Sequence, residues 1–333
     1  MKIVETIERS QWAQFVAGHP QGNIFQTPEM GDVFRAASNS RPVFLAAVDG
    51  KGEILGVLLA QLQKFYRGLA GRLTARVVVM GGPLLKDDDP DVGRALLERF
   101  DGVVSRQVVY SQFKNLWKMD RLLPLFQSCG YNYDEHLNIL VDLRGGEEVL
   151  WKGLGKARKE GIRKARRNNL LFEVTDSASI VPTFYGLLEK TYKNIGLPFP
   201  ALDFFRALCD HLPPGSIKFF GVRKEGQPLT ILAALVYKGV LYAYYIGRVM
   251  EAECLRMKPI DFLYWEVLSW GVRNGCQVFD WLGAGKPNQE YGVRDFKLQY
   301  GGVLHEFGRY EKVYNAALMK LGTLGIKLKR KVH

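Results

Sequence analysis

The feature that most constrains the fold is a pattern of elements that occurs twice along the chain. In each half, hydrophobic alternation predicts strands joined by a glycine-containing turn, then a helix, a strand, a short helix and a last strand. The short helix ends at a glycine in both halves, Gly130 and Gly301, which lie 171 positions apart. This spacing corresponds to a whole domain and not to a solenoid repeat. The order of elements is typical of a mixed sheet covered by helices, so two copies of one fold are predicted.

The predicted fold class is α/β, with an α+β mixed sheet in each of two tandem domains. We expect the first domain over residues 1–143, completed by a C-terminal helix over 311–333. The second domain is expected over residues 144–310 and contains a basic helix over 152–168. A length of 333 residues accommodates two domains, and 47% hydrophobic with 24% charged residues is the composition of a globular protein.

The charge balance favours an anionic partner. The chain has 46 Lys and Arg against 34 Asp and Glu, a formal net charge of +12, and such an excess speeds encounter with polyanions. Candidate partners are tRNA, a nucleotide-linked pyrophosphate and an anionic membrane face, and scattered solubilising charge is the alternative. The 4 cysteines are far apart and the 5 histidines lack metal-ligand spacing, so we expect no disulfide framework, no metal and no cofactor.

The hydropathy pattern does not indicate a membrane segment. Residues 1–8 contain acids and lack the apolar core of a signal peptide. The longest apolar stretch, 229–246, is interrupted by Lys238-Gly239 and falls short of the ~18 uninterrupted apolar residues of a spanning helix. We therefore expect a cytoplasmic protein.

The strongest electrostatic feature is the segment 151–167, which holds 8 basic residues against one acid, Glu160. Like charges three and four positions apart on a helix repel, so the segment favours phosphate binding, with a merely solvated face as the alternative. The apolar side is predicted to comprise Leu154, Ala157, Ile162 and Ala165. Helical spacing places Lys156, Lys159, Arg163 and Arg167 on one stripe, and with Lys164 these are the candidate phosphate-binding residues.

A second candidate site is the glycine-rich run 281–285 with the following segment 291–302. Glycines at the end of a strand let backbone approach a ligand, but no Walker lysine or dinucleotide acid accompanies them, so nucleotide hydrolysis and NAD binding are rejected. Lys297 lies where the first copy has an apolar residue, within Leu125-Phe126-Gln127. A partly buried ammonium there would stabilise the oxyanion formed when an amine attacks an ester. A lysine that extends from the helix edge into solvent is the alternative.

The segment before the helix opened by Pro259 offers further candidates. Arg256 and Lys258 lie at the N-terminal edge of this helix, where phosphates are often held. No Ser-His-Asp or Cys-His arrangement is present, and the sequence does not select a general base among the acids near the glycine run. An aromatic row could line a cleft, although ordinary packing explains it equally well: Tyr242, Tyr244, Tyr245 and Tyr264.

Three segments resemble the Fem family of aminoacyl-tRNA-dependent peptidoglycan peptidyltransferases. The run from Gly292 to Gly302, with Phe296-Lys297 and Tyr300-Gly301, resembles the F-K-x-x-F/Y-G block of that family. Residues 23–30 resemble its N-terminal Q-S/T-x-x-W segment, with Met30 in place of the tryptophan, and 158–167 resembles its basic helix. The resemblance implies two tandem GNAT-like acyltransferase domains. It also implies transfer of an amino acid from aminoacyl-tRNA to the amine of a UDP-linked or lipid-linked muropeptide precursor.

By the same resemblance Lys297 is the catalytic lysine, Phe296 lies beside it at the tRNA end, and Arg35 contacts the sugar-nucleotide pyrophosphate. Arg256 falls near a second such position, and the long helical hairpin that some members carry for tRNA is missing. The remaining candidate substrate-binding residues are Lys258, Tyr245, Tyr264 and Arg294.

Two other functions stay open. One is an acyl-CoA-dependent GNAT N-acyltransferase acting on a cell-envelope or polysaccharide precursor, although Arg67–Arg72 has Ala70 where the CoA motif requires its first glycine. The other is a non-catalytic basic protein that binds RNA or an anionic membrane. Its lipid contacts would come from the tail residues Lys327, Lys329, Arg330 and Lys331.

Overall fold

The structure, a computed structural model, describes residues 1–64, 68, 71 and 74–321. The chain forms two compact units. The first contains Met1–Glu135 and the described residues from Phe307 onward, and the second is His136–Glu306. The chain therefore leaves the first unit once and returns to it near its C-terminus.

The elements follow the predicted alternation closely. The first unit contains β1 (Lys2–Val4), α1 (Arg9–Gly18), α2 (Pro28–Ala36), β2 (Ser40–Val48), β3 (Ile54–Gln63), β4 (Arg76–Met80), β5 (Leu84–Leu85), α3 (Pro90–Val104), β6 (Tyr110–Lys114), α4 (Leu123–Ser128) and β7 (Asn132–Asp134). The second contains β8 (Leu137–Asp142), α5 (Gly146–Gly153), α6 (Lys156–Arg167), β9 (Leu171–Thr175), α7 (Val181–Ile195), α8 (Leu202–His211), β10 (Ile217–Lys224), β11 (Gln227–Tyr237), β12 (Val240–Arg248), α9 (Ala252–Arg256), α10 (Pro259–Arg273), β13 (Val278–Asp280), α11 (Gly292–Leu298) and β14 (Val303–Glu306). Strand β15 (Arg309–Val313) follows in the first unit.

The two sheets have the same internal arrangement, which confirms the predicted α/β fold class and the repeat. The first has the order β1-β2-β3-β4-β6-β15-β7, with β5 paired to β3, and the second has β14-β8-β13-β12-β11-β10-β9. One pair in each is parallel, β4 with β6 and β12 with β13. Beside it lies a strand that is distant in sequence, β15 in the first sheet and β8 in the second. Each copy therefore sends its last strand to the sheet of the other.

This exchange moves the domain limits away from the expected 143/144 and 310/311. Strand β8, expected at the end of the first domain, pairs with β13 and β14 in the second sheet. The second half does not end in one continuous last strand, because after β14 the chain turns at Gly308, with φ of +68°, and continues as β15 into a different sheet. Residues 311–313 are strand and not helix, since they pair with β6 and, at Glu311, with β7.

Two expected features lie outside the described residues. Only Gly68 and Gly71 of the CoA-like string 67–72 are described, and the chain beyond 321 is not. The latter includes the rest of the expected C-terminal helix and the basic tail residues Lys327, Lys329, Arg330 and Lys331.

The side chain of Gln26, in the N-terminal segment that resembles the Fem family, has a structural role in the first unit. This side chain is fully buried and joins two strands that diverge, β3 and β4. Its amide nitrogen donates to the carbonyls of Leu59 (3.0 Å) and Met80 (2.9 Å), and its oxygen accepts the N–H of Leu59 at 2.8 Å. Thr27 then caps α2 by accepting the N–H of Met30. The segment that resembles the Fem family therefore stabilises the first unit at this point.

Helix α10 supplies the main helical face of the second core, where Leu263, Val267 and Leu268 are fully buried. On β12, α7 packs closely enough that a Cβ on Gly247 would lie 2.4 Å from the backbone nitrogen of Leu188. Helices α7 and α8 were not predicted from the sequence. Among the helices of the described residues, none has the length and apolar composition needed to span a bilayer.

Candidate active site

The second sheet opens at the C-terminal end of β13. The last residues paired between β12 and β13 are Tyr242 and Asp280, and β12 continues for 6 more residues to Arg248. A bulge against β11 leaves Tyr244 as the extra residue between Ala243 and Tyr245. Bulges commonly re-aim side chains near functional sites. The open edge of β12 therefore lies beside the chain that leaves β13.

Lys297 lies at this place, on the last turn of α11 and half-buried. Its ammonium donates to the carbonyl oxygens of Trp281 at 3.2 Å and Gly283 at 2.5 Å. The nitrogen is also 5.4 Å from the centroid of the Trp281 ring. Burial lowers the pKa of Lys297 to about 8, partly offset by the nearby carboxylate of Asp280. An ammonium donates three hydrogen bonds, so two carbonyls leave one N–H for a ligand.

The loop that supplies these carbonyls has an unusual backbone. Leu282 and Gly283 have φ of +55° and +128°, a region in which non-glycine residues are uncommon. The N–H of Leu282 donates to Asp280 Oδ1 at 2.7 Å, and the N–H of Gly283 donates to Asn138 Oδ1 at 2.9 Å. Burial raises the pKa of Asp280 to about 6, and the bonds from Leu282 and Asn138 and the charge of Lys297 oppose that rise.

An aromatic cluster surrounds the lysine on its core side. Tyr264 is buried, with its ring centroid 4.4 Å from that of Trp281 and 6.1 Å from that of Phe296. Burial raises the pKa of Tyr264 above its ordinary range. The guanidinium carbon of Arg158, on α6, lies 4.8 Å from the Phe296 ring centroid. The structure therefore brings Phe296, Lys297 and Tyr264 together, and adds Trp281 and Arg158, which sequence analysis did not select.

The basic helix forms over Lys156–Arg167 and adjoins the end of α11, because the N–H of Gly155 donates to the carbonyl of Gln299 at 2.8 Å. Lys156, Arg163, Lys164 and Arg167 are exposed, whereas Lys159 is half-buried and donates to the carbonyl of Lys152 at 3.1 Å. Two of the expected packed residues are fully buried, Ile162 and Ala165, and Leu154 is nearly so. Ala157 is exposed instead.

Arg158 takes a buried position on this helix by pairing with Asp261 of α10. The side chains are 16% and 4% exposed. Gly161 makes the approach possible, since a Cβ there would lie 2.1 Å from Asp261 Oδ2. Tyr300 also donates to Asp261, at 3.4 Å. Sequence analysis counted Arg158 among the basic residues but had no signal for its buried partner.

The other candidate residues of the second unit either lie away from Lys297 or donate hydrogen bonds to backbone carbonyls. Arg294 donates to the carbonyls of Lys286 (2.7 Å) and Gln289 (2.6 Å) and so braces the loop before α11. Tyr245 packs against Phe205 at 5.3 Å between ring centroids, on the α7–α8 side of β12. Arg256 and Lys258 are exposed just before α10.

Arg35 is on α2 of the first unit, where it pairs with Asp32 at 2.5 Å and is 70% exposed. It borders a cleft of the first unit that Arg9 and Arg41 also line. Among the described residues, no group of three or more His, Cys, Asp and Glu side chains is placed to hold a metal ion.

Part of the chain matches a known family model, and nearly the whole chain matches solved structures. Residues 155–297 match the family described as Acetyltransferase (GNAT) domain. FemX matches over 96% of this chain and 99% of its own, with a TM-score of 0.71 and 14% identity. The chain is a tandem GNAT-fold protein. The resemblance to the Fem family is thus confirmed at the level of the fold, and the match to the acetyltransferase (GNAT) family model lies in the second unit.

Two further structures have this fold. L-PGS from Bacillus licheniformis matches over 98% of this chain and 99% of its own, with a TM-score of 0.60 and 17% identity. A tandem GNAT protein from the clavulanic acid biosynthesis pathway matches over 94% and 98%, with a TM-score of 0.57 and 12% identity. No curated protein sequence matches this chain.

Proposed function

We propose that the protein is an aminoacyltransferase that moves an amino acid from aminoacyl-tRNA to the amine of a peptidoglycan precursor peptide. The observation that supports this most directly is the ammonium of Lys297, half-buried and held by two backbone carbonyls beside the open edge of β12. Such a group stabilises the negative charge that develops on an ester carbonyl during acyl transfer.

The proposed transfer balances without a chemical change in Lys297. The acceptor nitrogen attacks the ester carbonyl carbon, a C–N bond forms, and the carbonyl oxygen becomes an oxyanion that accepts the remaining N–H of Lys297. The C–O bond to the terminal ribose of the tRNA then breaks. The amine loses one proton and the departing ribose oxygen takes one up, so the ammonium itself is unchanged.

The basic helix α6 supports a polyanionic donor. Exposed Lys156, Arg163 and Lys164 lie on the helix whose first turn is bonded to the end of α11. Cations that contact phosphates supply sequence-independent affinity and release counterions. The half-buried ring of Phe296, next to Lys297 in sequence, is a surface on which a base at the acceptor end can stack. Lys159 and Arg167 complete the proposed tRNA-binding set.

The backbone at the start of α10 offers few groups to a phosphate, so a phosphate bound there would depend on the side chains of Arg256 and Lys258. A pyrophosphate held by a helix N-terminus itself needs free backbone N–H groups. Here Pro259 has no N–H to offer, and the carboxylate of Asp261 is buried in the first turn. Burial raises the pKa of Asp261, while the charge of Arg158 opposes this.

For the acceptor, Arg256 and Lys258 before α10 of the second unit are the proposed phosphate contacts of a UDP-linked or lipid-linked precursor, and Arg35 on α2 of the first unit is a separate proposed phosphate contact. They are exposed cations. Tyr245, Tyr264 and Arg294 are proposed to shape or brace the site, the first two as its aromatic walls. Peripheral contact with an anionic membrane would bring a lipid-linked acceptor within reach of the same residues.

The test is incubation of the protein with a pool of charged tRNAs and UDP-linked muramyl pentapeptide, followed by mass measurement of the acceptor. The proposal expects a gain equal to one amino acid residue, absent with uncharged tRNA and with Lys297→Met. A parallel reaction with acetyl-CoA should leave the acceptor mass unchanged.

Two results would overturn the proposal. Acetylation of the acceptor without aminoacylation would favour the acyl-CoA-dependent enzyme. Tight RNA binding that Lys297→Met does not alter, with no acceptor modified by either donor, would favour the non-catalytic RNA-binding protein.

A further inference from the structure

The position of the Lys297 ammonium depends on the direction of two backbone carbonyls. That of Gly283 makes the shorter contact, 2.5 Å against 3.2 Å for Trp281. The peptide group that carries it is held by the N–H of Ala284, which donates to the carbonyl of Leu137 at 2.7 Å. The turn before it, which carries the Trp281 carbonyl and contains residues of positive φ, needs partners of its own up to the N–H of Gly283.

Asn138, on β8, holds the other side of the same residue. Its Oδ1 accepts the N–H of Gly283 at 2.9 Å and that of Ile139 at 2.8 Å. Its Nδ2 donates to Asp280 Oδ1 at 2.9 Å. Asp280 in turn accepts the N–H of Leu282 at 2.7 Å. One amide side chain therefore restrains both ends of the turn 280–283.

The chemistry of an amide is required at this position. Two backbone N–H groups need an acceptor, and the carboxylate of Asp280 needs a donor, so the side chain must supply both from one planar group. Asn138 and Asp280 are 4% and 3% exposed. Water therefore does not readily replace a hydrogen bond that a substitution removes, and each buried group left without a partner lowers the stability of the fold. A leucine of similar size would fill the space and satisfy none of the three partners.

We propose that Asn138 is the positioning residue of the Lys297 site: through Asp280 and the N–H of Gly283 it fixes the turn 280–283, whose backbone carbonyls hold the ammonium beside the open edge of β12. Asn138 contributes from β8, the strand with which the chain enters the second unit. The role in acyl transfer rests on the proposed function, whereas the orientation of Lys297 does not depend on the substrate.

The orientation is measurable without any substrate, because a lysine reacts with acylating reagents only as the free amine. Brief labelling with acetic anhydride over pH 6–11, followed by mass measurement of the peptide carrying Lys297, gives its titration curve. Asp280 is the charged group that acts on Lys297 among the described residues. With the turn 280–283 no longer restrained, its carbonyls should hold the ammonium less well, so Asn138→Leu is expected to move the curve down by about one pH unit.

A matched control is Asn115→Leu in the first unit. Asn115 is also buried, follows β6, and donates to the carbonyl of Phe307 at 2.8 Å. It should lower the melting temperature much as Asn138→Leu does, while the Lys297 curve stays at about pH 8. An unchanged curve in folded Asn138→Leu would show a purely structural role and overturn the proposal.

Asn138→Asp provides a second measurement that a general loss of stability would not mimic. Of two adjacent buried carboxyls, one retains its proton to unusually high pH. The protonated form still donates to Asp280 and accepts from Gly283, as the amide does. The Lys297 labelling rate of this variant should match wild type at the acid end and diverge as pH rises. A constant ratio across the range would count against the positioning role, and neither result depends on which donor the enzyme uses.

Discussion

Phe126 of the first unit stands where Lys297 stands in the second. Each lies on the short helix that follows the inner parallel strand and ends before a glycine of positive φ, Gly130 or Gly301. Phe126 is fully buried and stacks on Tyr310, with ring centroids 3.9 Å apart and planes 2° apart. An aromatic core therefore fills in one copy the space that holds the ammonium in the other. Of these two corresponding positions, the one in the second unit carries the lysine and the one in the first carries a core aromatic residue.

The first prediction concerns the ammonium. Lys297→Met keeps a long apolar stem against Trp281 but removes the positive charge, so the fold should persist and transfer should fall by about 10²- to 10³-fold in kcat. Single-turnover transfer from charged tRNA measures this. Lys51→Met, in the exposed turn between β2 and β3, is the matched control and should retain wild-type turnover. Equal activity of the two variants would remove Lys297 from the mechanism.

The second prediction is a pH dependence with a definite sign. Burial lowers the pKa of Lys297 to about 8, so the ammonium that binds the oxyanion is lost as pH rises through that value. At saturating substrate, the ratio of wild-type kcat to that of Lys297→Arg should fall tenfold per pH unit above about 8, because a guanidinium stays charged. The comparison cancels the titration of the acceptor amine, which is common to both proteins. A ratio that rises through pH 8 would mean that the free amine of Lys297 acts as a base.

The same titration affects folding stability in the opposite direction. Between pH 8 and the ordinary lysine pKa of 10.5 the unfolded chain binds more protons at this residue than the folded chain. The unfavourable contribution of Lys297 to the free energy of unfolding therefore disappears as pH rises across that window. Urea denaturation of wild type and Lys297→Met at pH 7.5 and 10 separates this contribution from that of other groups, and equal pH trends in the two proteins would contradict it.

Much of the fold was predictable from the sequence because its periodicity is local. The strands joined by a glycine-containing turn were predicted, and β2 and β3 are such a pair, since apolar alternation and the turn between them define both. The exchange of β8 and β15 was not predictable, because the residue pattern of a strand does not determine which sheet the strand joins. Helix α7 was missed although its buried residues, such as Phe184 and Leu188, lie at helical spacing.

The site was predictable from the sequence only where the type of a residue indicates its chemical role. Lys297 stood out because a cation replaced an apolar residue in a repeat. Asn138 and Asp280 gave no such signal, since their importance comes from strand pairing that joins residues 142 positions apart. Arg158 looked like one more cation on a basic helix, and its burial follows from a glycine one turn away that allows α10 to approach.

The third prediction tests the basic helix. Converting Arg163 and Lys164 to glutamate should weaken RNA binding and reduce the slope of log Kd against log salt by about 0.7 to 0.9 for each phosphate that the helix no longer neutralises. Both side chains are exposed on α6, so folding should be unaffected. The control converts Lys51 and Arg106, exposed cations of the first unit, to glutamate with the same change in net charge. A salt slope equally reduced in the control would indicate scattered charge and not a binding helix.

The fourth prediction concerns the contact that places α6 against α10. Gly161→Ala introduces a Cβ 2.1 Å from Asp261 Oδ2, so the helices must separate and the buried Arg158–Asp261 pair must loosen. We expect a loss of about 2 to 4 kcal/mol in the free energy of unfolding. Gly186→Ala on α7 is the matched control, because nothing lies within 4 Å of its added Cβ, and alanine in an exposed helix should stabilise by about 0.5 to 1 kcal/mol. Urea denaturation measures both, and a loss for Gly161→Ala no larger than the change in its control would show that α6 approaches α10 less closely than this geometry requires.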